Sequence, residues 1–595
     1  MPTAYTPPLA DIRFILHRLI GWDKIAAMPA HAAVDAGTAD AVLDEAGKIA
    51  AEQFAPLNDV GDKHGVKFDN GNITMPPGFR DAYRAFVEGG WNTLPVEPEY
   101  GGQGLPWLLA MPVQEMLQGA NIGLALATLL NQGAIELLCA HGDDRIKKIF
   151  LPNLVSGAWA GTMNLTEPQA GSDVGAVRAR AVKDGDCYSI TGQKIFISYG
   201  DHDLTDNILH LVLARLPDAP EGTRGLSLFL VPKILVNEDG TLGAPNDVRA
   251  VSVEHKMGQH ASPTCIMAYG DGGKGAAGYL VGQENGGIAA MFTMMNNARI
   301  GVGIQGLGLM ERAYQQARDY ARTRVQSRAI DAPKEPPVAI INHPDVRRML
   351  MTMRALTEAG RALAYSCALA VDTAKYGSDG SKSQAALRVD ILTPIVKGWL
   401  TDMANDVTST GVQVFGGMGY IEETGAAQVM RDARILAIYE GTNGIQANDL
   451  VFRKIARDNG AAINSLFAEI DAFLHETSGM AALSTMRGQL ASSLRDAKTA
   501  TGWIAQNART NPAAAAAVAA YFLRLCGNVL GGFYLTKSAH LAHEDLAASG
   551  GDADFLNAKI ATAGFYAAHI LPHSAALAAI IQTGAASVLV PPGTA

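Results

Sequence analysis

The strongest constraint on the fold is a change of hydrophobic period along a chain of 595 residues. From Leu9 to about Val155 apolar residues recur at helical spacing, as in "AVLDEAGKIAAEQFAPL" and "EMLQGANIGLALATLLNQGAIELL". The Gly/Pro-rich "LPVEPEYGGQGLPW" between them reads as a loop. The texture then turns to short, alternating, β-branched stretches cut by Gly, Asp and Pro: "CYSITGQKIFIS", "NILHLVLARL" and "GLSLFLVP". These read as strands and hairpins up to about Gly282. Helices return from Gly286, with "NNARIGVGIQGLGLMERAYQQARDYARTRV" and "PDVRRMLMTMRALTEAGRALAYSCALAVDTA" joined by the Pro-rich loop "AIDAPKEPPVAI". Past Arg453 a further helical segment is rich in Ala. An α+β chain in four parts is predicted: helical over 1–156, β over 157–284, a helical bundle over 285–455 and an additional helical domain over 456–595. A chain this long exceeds a single hydrophobic core.

Bulk properties remove several function classes. A formal charge of −10 and a pI near 5.8 argue against nucleic acid as a partner, because phosphate binding needs clustered Lys and Arg. The tail from 456 has no excess of Lys and Arg over Asp and Glu, so it carries no basic footprint either. The five cysteines are widely spaced and never form CxxC, which fits a reducing compartment with neither a disulfide framework nor a metal site. In "MPTAYTPPLADIRFILHRLI", Asp11, Arg13 and Arg18 interrupt any signal-like apolar core, and "VLVPPGTA" is no peroxisomal or retention tail. A cytoplasmic protein is the expectation. Two apolar tail stretches, "NPAAAAAVAAYFLRLCGNVLGGFYL" and Ala561 to Val590, are interrupted by polar residues and are expected to be buried or interface helices. Membrane contact is therefore not expected.

Four motifs carry chemistry. "MNLTEPQAGSDVGAVRARA" (Met163 to Ala181) opens the β region and combines hydroxyls with glycines. "GQKIFISYGD" (Gly192 to Asp201) reads as a hairpin turn leading into a strand ending in Phe196 and Ser198; an aromatic there is ordinarily core. "TSTGVQVFGGMGY" (Thr408 to Tyr420) sets Gly416, Gly417 and Gly419 after an apolar helix, which is not the GxGxxG arrangement of a Rossmann site and reads alone as helix capping. In "ILAIYEGTNGIQ" one carboxylate, Glu440, stands between an apolar run and small turn formers. It is either a turn residue or an acid whose apolar surroundings suit it to general base work.

Taken together and in this order, "TEPQAGSD", "GQKIFIS", "VQVFGGMGY" and "IYEGTNGIQ" resemble the acyl-CoA dehydrogenase family over most of residues 30 to 455. The resemblance implies an N-terminal helical domain, a central β-barrel-like domain and a C-terminal four-helix bundle around FAD, to which this chain adds helices. The family's catalytic base falls on Glu440, which takes the α-proton of a CoA thioester while the β-hydrogen leaves as hydride to flavin. The thioester oxygen is then held by a flavin ribityl hydroxyl and the backbone N–H of Glu440. Tyr439 and Gly441 fall on the substrate side, where Gly441 permits close approach. Met163, Leu165 and Thr166 fall on the flavin-binding segment, Thr166 as a hydrogen-bond partner of the ring. Ser172 falls where the family contacts pyrophosphate or CoA. Phe196 and Ser198 stand where Trp and Thr are commoner beside the flavin. Arg324 matches an Arg that pairs with FAD pyrophosphate across a dimer interface, followed by Gln326; Ser327 replaces a common Phe. Gln413, Gly416 and Gly417 match a loop contacting the neighbouring subunit's cofactor, and Thr442 a further FAD contact. Arg299 matches an Arg that orients the region of the base; the alternative is a surface helix charge.

The opening "YTPPLADIRFILHRLIGWDKI" and the loop "EHKMGQHASPTCIM" resemble a large bacterial subgroup of that family. That likeness implies oxidation of 3-(methylthio)propionyl-CoA to 3-(methylthio)acryloyl-CoA in dimethylsulfoniopropionate breakdown, with an electron-transferring flavoprotein as acceptor and a homo-oligomer, at least a dimer, as the working form. Fatty acyl-CoA dehydrogenases share the subgroup, acyl-CoA oxidases share fold and base, and some large relatives bind DNA. Leu124, Leu126 and Leu130 either shorten the acyl pocket or pack the core.

Overall fold

The structure of the protein, a computed structural model, describes residues 4–591. The chain divides into two compact units, and each takes segments from several parts of the sequence.

One unit spans 48–106 and 120–301 and holds the sheet. Its strands run in the order Val248–Val253, Thr264–Tyr269, Cys187–Ser198, Ala276–Val281, Leu226–Pro232, Asn207–Arg215 and Trp159–Asn164. Arg180–Asp184 bridges Cys187–Ser198 and Asn207–Arg215, so five strands close on themselves. Pairing is antiparallel except for Trp159–Asn164 and the single bridge from Arg180, both against Asn207–Arg215. The β-branched and leucine-rich strands Asn207–Arg215 and Leu226–Pro232 are buried almost throughout, as strands covered on both faces must be. The run read as one long helix from Glu115 is broken at Asn121, whose side chain accepts the Leu124 N–H at 3.1 Å and caps Ile122–His141. That helix packs on Trp159–Asn164: a Cβ at Gly161 would stand 2.3 Å from Ala134, so only glycine allows the approach. Leu124, Leu126 and Leu130 are core residues here.

The expected turn at "GQKIFISYGD" is not a turn. Gly192 lies inside the twelve-residue strand Cys187–Ser198 at φ 146°, which L side chains rarely adopt, and a Cβ there would stand 2.9 Å from Ala179 Cβ.

The other unit takes residues up to Gly47, Trp107–Gly119 and everything from Val302 on. Its centre is the helical bundle containing the C-terminal part of Gly287–Thr323, together with Pro344–Tyr376, Asp379–Phe415 and the shorter helices between Ala426 and Ile455. Gly303 and Gly306 let backbone meet backbone, since a Cβ on either would stand about 3 Å from Val396 or Leu400 carbonyl oxygen. The additional helices Ala461–Glu476, Ser484–Thr510, Pro512–Ala547, Ala553–His569 and His573–Thr583 pack in the same unit. Trp399, fully buried in the bundle, donates its indole N–H to Asn528 of Pro512–Ala547 at 2.9 Å.

A buried ionic cluster ties the far ends of the chain to this bundle. Arg361, 1 % exposed, holds Glu115 at 2.7 Å, Glu311 at 2.6 Å and Asp11. Lys559 of Ala553–His569 closes the cluster onto Asp11 at 2.5 Å and Glu358 at 2.8 Å. Burial alone would push the Asp11 carboxyl up, but Lys559 and Arg361 overcome it and hold it down at about 2.

Among the described residues three helical segments are long and apolar enough to cross a membrane: Ile122–His141, Pro512–Ala547 and Ala553–Thr583. Of their apolar windows 89 %, 67 % and 39 % respectively are buried, so protein packing accounts for most of the first two. The five cysteines form no disulfide among the described residues.

Because the folded Asp11 titrates below its unfolded value, its contribution is present above about pH 4 and disappears as pH falls towards 2. Asp11→Asn is expected to lower unfolding stability by about 3–5 kcal/mol, as breaking a buried pair does. It should also flatten the loss of stability between pH 4 and 2. Denaturant melts across that window check both.

Candidate active site

The segment around Glu440 owes its shape to two consecutive residues in the left-handed region. The helix Ala426–Arg434 runs into a short turn, Ile435–Ala437, and then the chain passes Glu440 at φ 56° and Gly441 at φ 84° before Asn443–Asn448 begins. Thr442 caps that last helix, its hydroxyl accepting the Ile445 N–H at 3.3 Å. Gly441 takes a positive φ freely, whereas Glu440 carries a Cβ and pays about 1–2 kcal/mol. Such strain persists only where the surroundings over-determine it.

They do so here. The side chain of Gln446 donates to the Glu440 carbonyl at 3.1 Å and the Gly441 carbonyl at 3.3 Å. Lys397, fully buried on Asp379–Phe415, donates to the Gly441 carbonyl at 2.7 Å and to Asn443 Oδ1 at 2.9 Å. Asn443 in turn donates to the Gly398 carbonyl at 3.1 Å and to Asp402 at 2.6 Å. Burial pushes the Asp402 carboxyl above its ordinary range, against the bond from Asn443. On the preceding side, the Tyr439 hydroxyl donates to Gln305, and the Gln305 amide donates to Gln118 at 3.2 Å. Glu440 itself is half-buried. Sequence reading singled out Tyr439, Glu440, Gly441 and Thr442 but missed Lys397, Gln446 and Gln305. A lysine inside an otherwise apolar helical run is the one signal that could have found the first.

The sheet unit gathers a second group. Met163 is buried at the end of Trp159–Asn164, and Leu165 and Thr166 follow, half-buried. This segment is laid along Cys187–Ser198: the Thr166 carbonyl accepts the Ile195 N–H at 2.9 Å, and the Leu165 carbonyl accepts Lys194 Nζ at 3.0 Å. Lys194 also pairs with Glu167 at 2.8 Å, both buried, and Glu167 accepts the backbone N–H groups of Arg178 and Ala179. Burial pushes the Lys194 ammonium down to about 8 in spite of Glu167. Opposite Ile266 the pairing shifts register, so that Ile195 and Phe196 form a bulge. Phe196 takes φ 58° and is 59 % exposed, so it is no core aromatic. Ser198 is half-buried, its carbonyl accepting the Thr162 hydroxyl at 2.7 Å. Ser172 is exposed in the loop beyond. Arg299 is buried, its guanidinium 5.6 Å from the Phe292 ring, which excludes the surface-charge alternative.

A third group lies in the helical unit, at the ends of two helices. Tyr320 and Phe415 stack with centroids 4.2 Å apart. Arg324 and Gln326 follow the first, exposed, with side chains 3.4 Å apart. Gln413 precedes the second, and Gly416 ends that helix at φ 62°. A Cβ at Gly416 or Gly417 would meet nothing within 4 Å, so their backbone is open. Along Asp379–Phe415 this end lies roughly 27 Å from Lys397 at 1.5 Å per residue.

These groups fit FAD in kind. An exposed aromatic beside hydroxyls and backbone edges suits a flat heteroaromatic ring. An exposed arginine and an open glycine backbone each suit a phosphate.

Comparison with known proteins gives matches over nearly the whole length. The chain matches the acyl-CoA dehydrogenase N-terminal domain over residues 38–158, the middle domain over 162–271 and the C-terminal domain over 285–454. Residues 466–591 match an acetyl-CoA dehydrogenase C-terminal-like family. The chain is 46 % identical to a 3-methylmercaptopropionyl-CoA dehydrogenase of Ruegeria pomeroyi, covering 98 % of each chain. It is 36 % identical to the broad-specificity linear acyl-CoA dehydrogenase FadE5 of Mycobacterium tuberculosis, covering 97 % of each. In fold it is similar to an acyl-CoA dehydrogenase of Bacillus anthracis complexed with FAD, with a TM-score of 0.74, 19 % identity, and 96 % of this chain and 91 % of that one covered.

Replacing Arg324 by Ala is expected to cut the FAD retained per chain after gel filtration by at least about half, since a charge-assisted phosphate contact would be lost. Full retention would remove Arg324 from the cofactor's contacts.

Proposed function

The chain belongs to the acyl-CoA dehydrogenase family of FAD-dependent oxidoreductases, and we propose that its substrate is 3-(methylthio)propionyl-CoA, oxidised to 3-(methylthio)acryloyl-CoA as a step in dimethylsulfoniopropionate breakdown. The observation that carries this reading is the 46 % identity to the Ruegeria enzyme over 98 % of both chains, which includes the additional C-terminal helices.

In this reading Glu440 is the base. A thioester α-proton is weakly acidic, so its removal needs a carboxylate held at the carbon and donors at the carbonyl oxygen. The left-handed turn at Glu440–Gly441 supports that role, because it presents a half-buried carboxylate on a loop fixed from behind. The Glu440 backbone N–H serves the thioester oxygen, and Tyr439, Gly441, Arg299 and Ser172 line the substrate's path. FAD, when bound, would supply the acceptor for the β-hydrogen and its electron pair, and Glu440 receives the α-proton. Met163, Leu165, Thr166, Phe196 and Ser198 would hold the ring portion, and Ser172, Arg324, Gln326, Gln413, Gly416, Gly417 and Thr442 the remainder.

The working form is a homodimer in the cytoplasm that passes electrons to an electron-transferring flavoprotein. Exposed apolar residues support the dimer: Met418, Ile421 and Tyr420, the last 87 % exposed, flank the open Gly416–Gly417 backbone. The likeness to FadE5 favours one alternative, a dehydrogenase of linear fatty acyl-CoA.

Initial rates against 3-(methylthio)propionyl-, butyryl-, octanoyl- and palmitoyl-CoA, with a dye acceptor under anaerobic conditions, discriminate these. We expect kcat/KM for the methylthio substrate to exceed that for octanoyl- and palmitoyl-CoA by at least about tenfold, which is 1.4 kcal/mol of transition-state discrimination. Preference for palmitoyl-CoA would replace the substrate. Rapid reoxidation of the reduced enzyme by an oxygen pulse would identify an oxidase.

A further inference from the structure

We propose that Lys397 is the positioning residue of the catalytic loop, and that the additional helix Pro512–Ala547 clamps the turn that carries it. The inference rests on Glu440 being the base. Lys397 lies on a bundle helix and is fully buried, an expensive place for an ammonium. It donates to the loop, at the Gly441 carbonyl, 2.7 Å, and Asn443 Oδ1, 2.9 Å. Both acceptors lie within three residues of Glu440 on its C-terminal side. An ammonium donating to a backbone carbonyl makes a charge-assisted bond, about twice the strength of a neutral one. That bond opposes the relaxation of Glu440 and Gly441 from their positive φ values.

The rest of the brace surrounds the same helical turn. Thr401 donates to the Lys397 carbonyl at 2.7 Å, and Asn443 donates to Thr401 Oγ1 at 2.9 Å and to Asp402 at 2.6 Å. The next residue, Gly398, stands between the loop and the additional helices. A Cβ there would lie 2.8 Å from a Leu523 methyl and 3.5 Å from Gln446 Cβ, so Leu523 reaches the bundle backbone. Two residues away Trp399 is bonded to Asn528 at 2.9 Å, and Gly527 admits its indole, since a Cβ there would stand 2.2 Å from the ring. Lys397 is thus pulled towards the loop on one side while Pro512–Ala547 closes the other.

A positioning residue acts on rate more than on affinity, because a displacement of about 1 Å at the reacting carbon costs on the order of 100-fold. The test uses the full-length FAD-loaded enzyme with Lys397→Met and Lys397→Arg. We expect Lys397→Met to retain FAD and acyl-CoA KM within about threefold, to lose about 10- to 100-fold in kcat, and to exchange the backbone amides of residues 439–446 at least about tenfold faster by mass spectrometry. Lys397→Arg should recover much of both. If Lys397→Met folds poorly, Thr401→Val, which removes only a flanking bond, should show smaller shifts of both readouts in the same direction. Unchanged amide exchange with unchanged kcat in Lys397→Met overturns the proposal, as does equal loss across the whole bundle. Glu440→Gln separates the two readings: it should leave amide protection intact, and full activity in that variant would remove the base while leaving the brace measurable.

Discussion

A glutamate and a glycine held in succession at positive φ are the constraint around which the helical unit is organised. An L residue does not rest there by preference, so each contact on the loop acts as a restoring force. These contacts come from residues both near in sequence and far from it. Gln446 follows in the next helix, Lys397 and Asn443 meet from opposite sides of the loop, and Tyr439 reaches Gln305 on a third element. The interactions are mostly with backbone carbonyls, so they specify the loop's path.

The same logic explains the added mass of the C-terminal helices. They are bound to the bundle by apolar packing, by the Trp399–Asn528 bond and by the Lys559–Asp11 pair at the edge of the Arg361 cluster. Buried ions contribute little net stability, but their geometry admits few alternatives. Lys559 can satisfy itself only where the N-terminal helix brings Asp11 and the bundle brings Glu358, so both chain ends are fixed in register with the bundle helices.

Much of this was legible in the sequence because hydrophobic period is a local property. The order of helical and β segments, the loop between Arg328 and Ile340, and the glycine that ends Asp379–Phe415 all follow from residues within a few positions of one another. The motif around Glu440 was legible for the same reason. What escaped is long-range or conformational. Arg361 and Asp11 are 350 residues apart, and nothing local marks them as partners. Gly192 looked like a turn because glycine ordinarily signals one, yet the strand passes through it. Phe196 looked like core until a bulge turned it outward, and Arg299 looked like a candidate surface charge until packing buried it. Lys397 carries no motif; its role comes from the loop that folds back onto it.

The proposed function turns on one chemical act, transfer of a thioester α-proton to the carboxylate at position 440. The most direct measurement is anaerobic mixing of Glu440→Gln, loaded with FAD, with its acyl-CoA substrate while the flavin absorbance is followed. The account predicts a yellow protein that binds the thioester and does not bleach. Bleaching at the wild-type rate would contradict it and require another base.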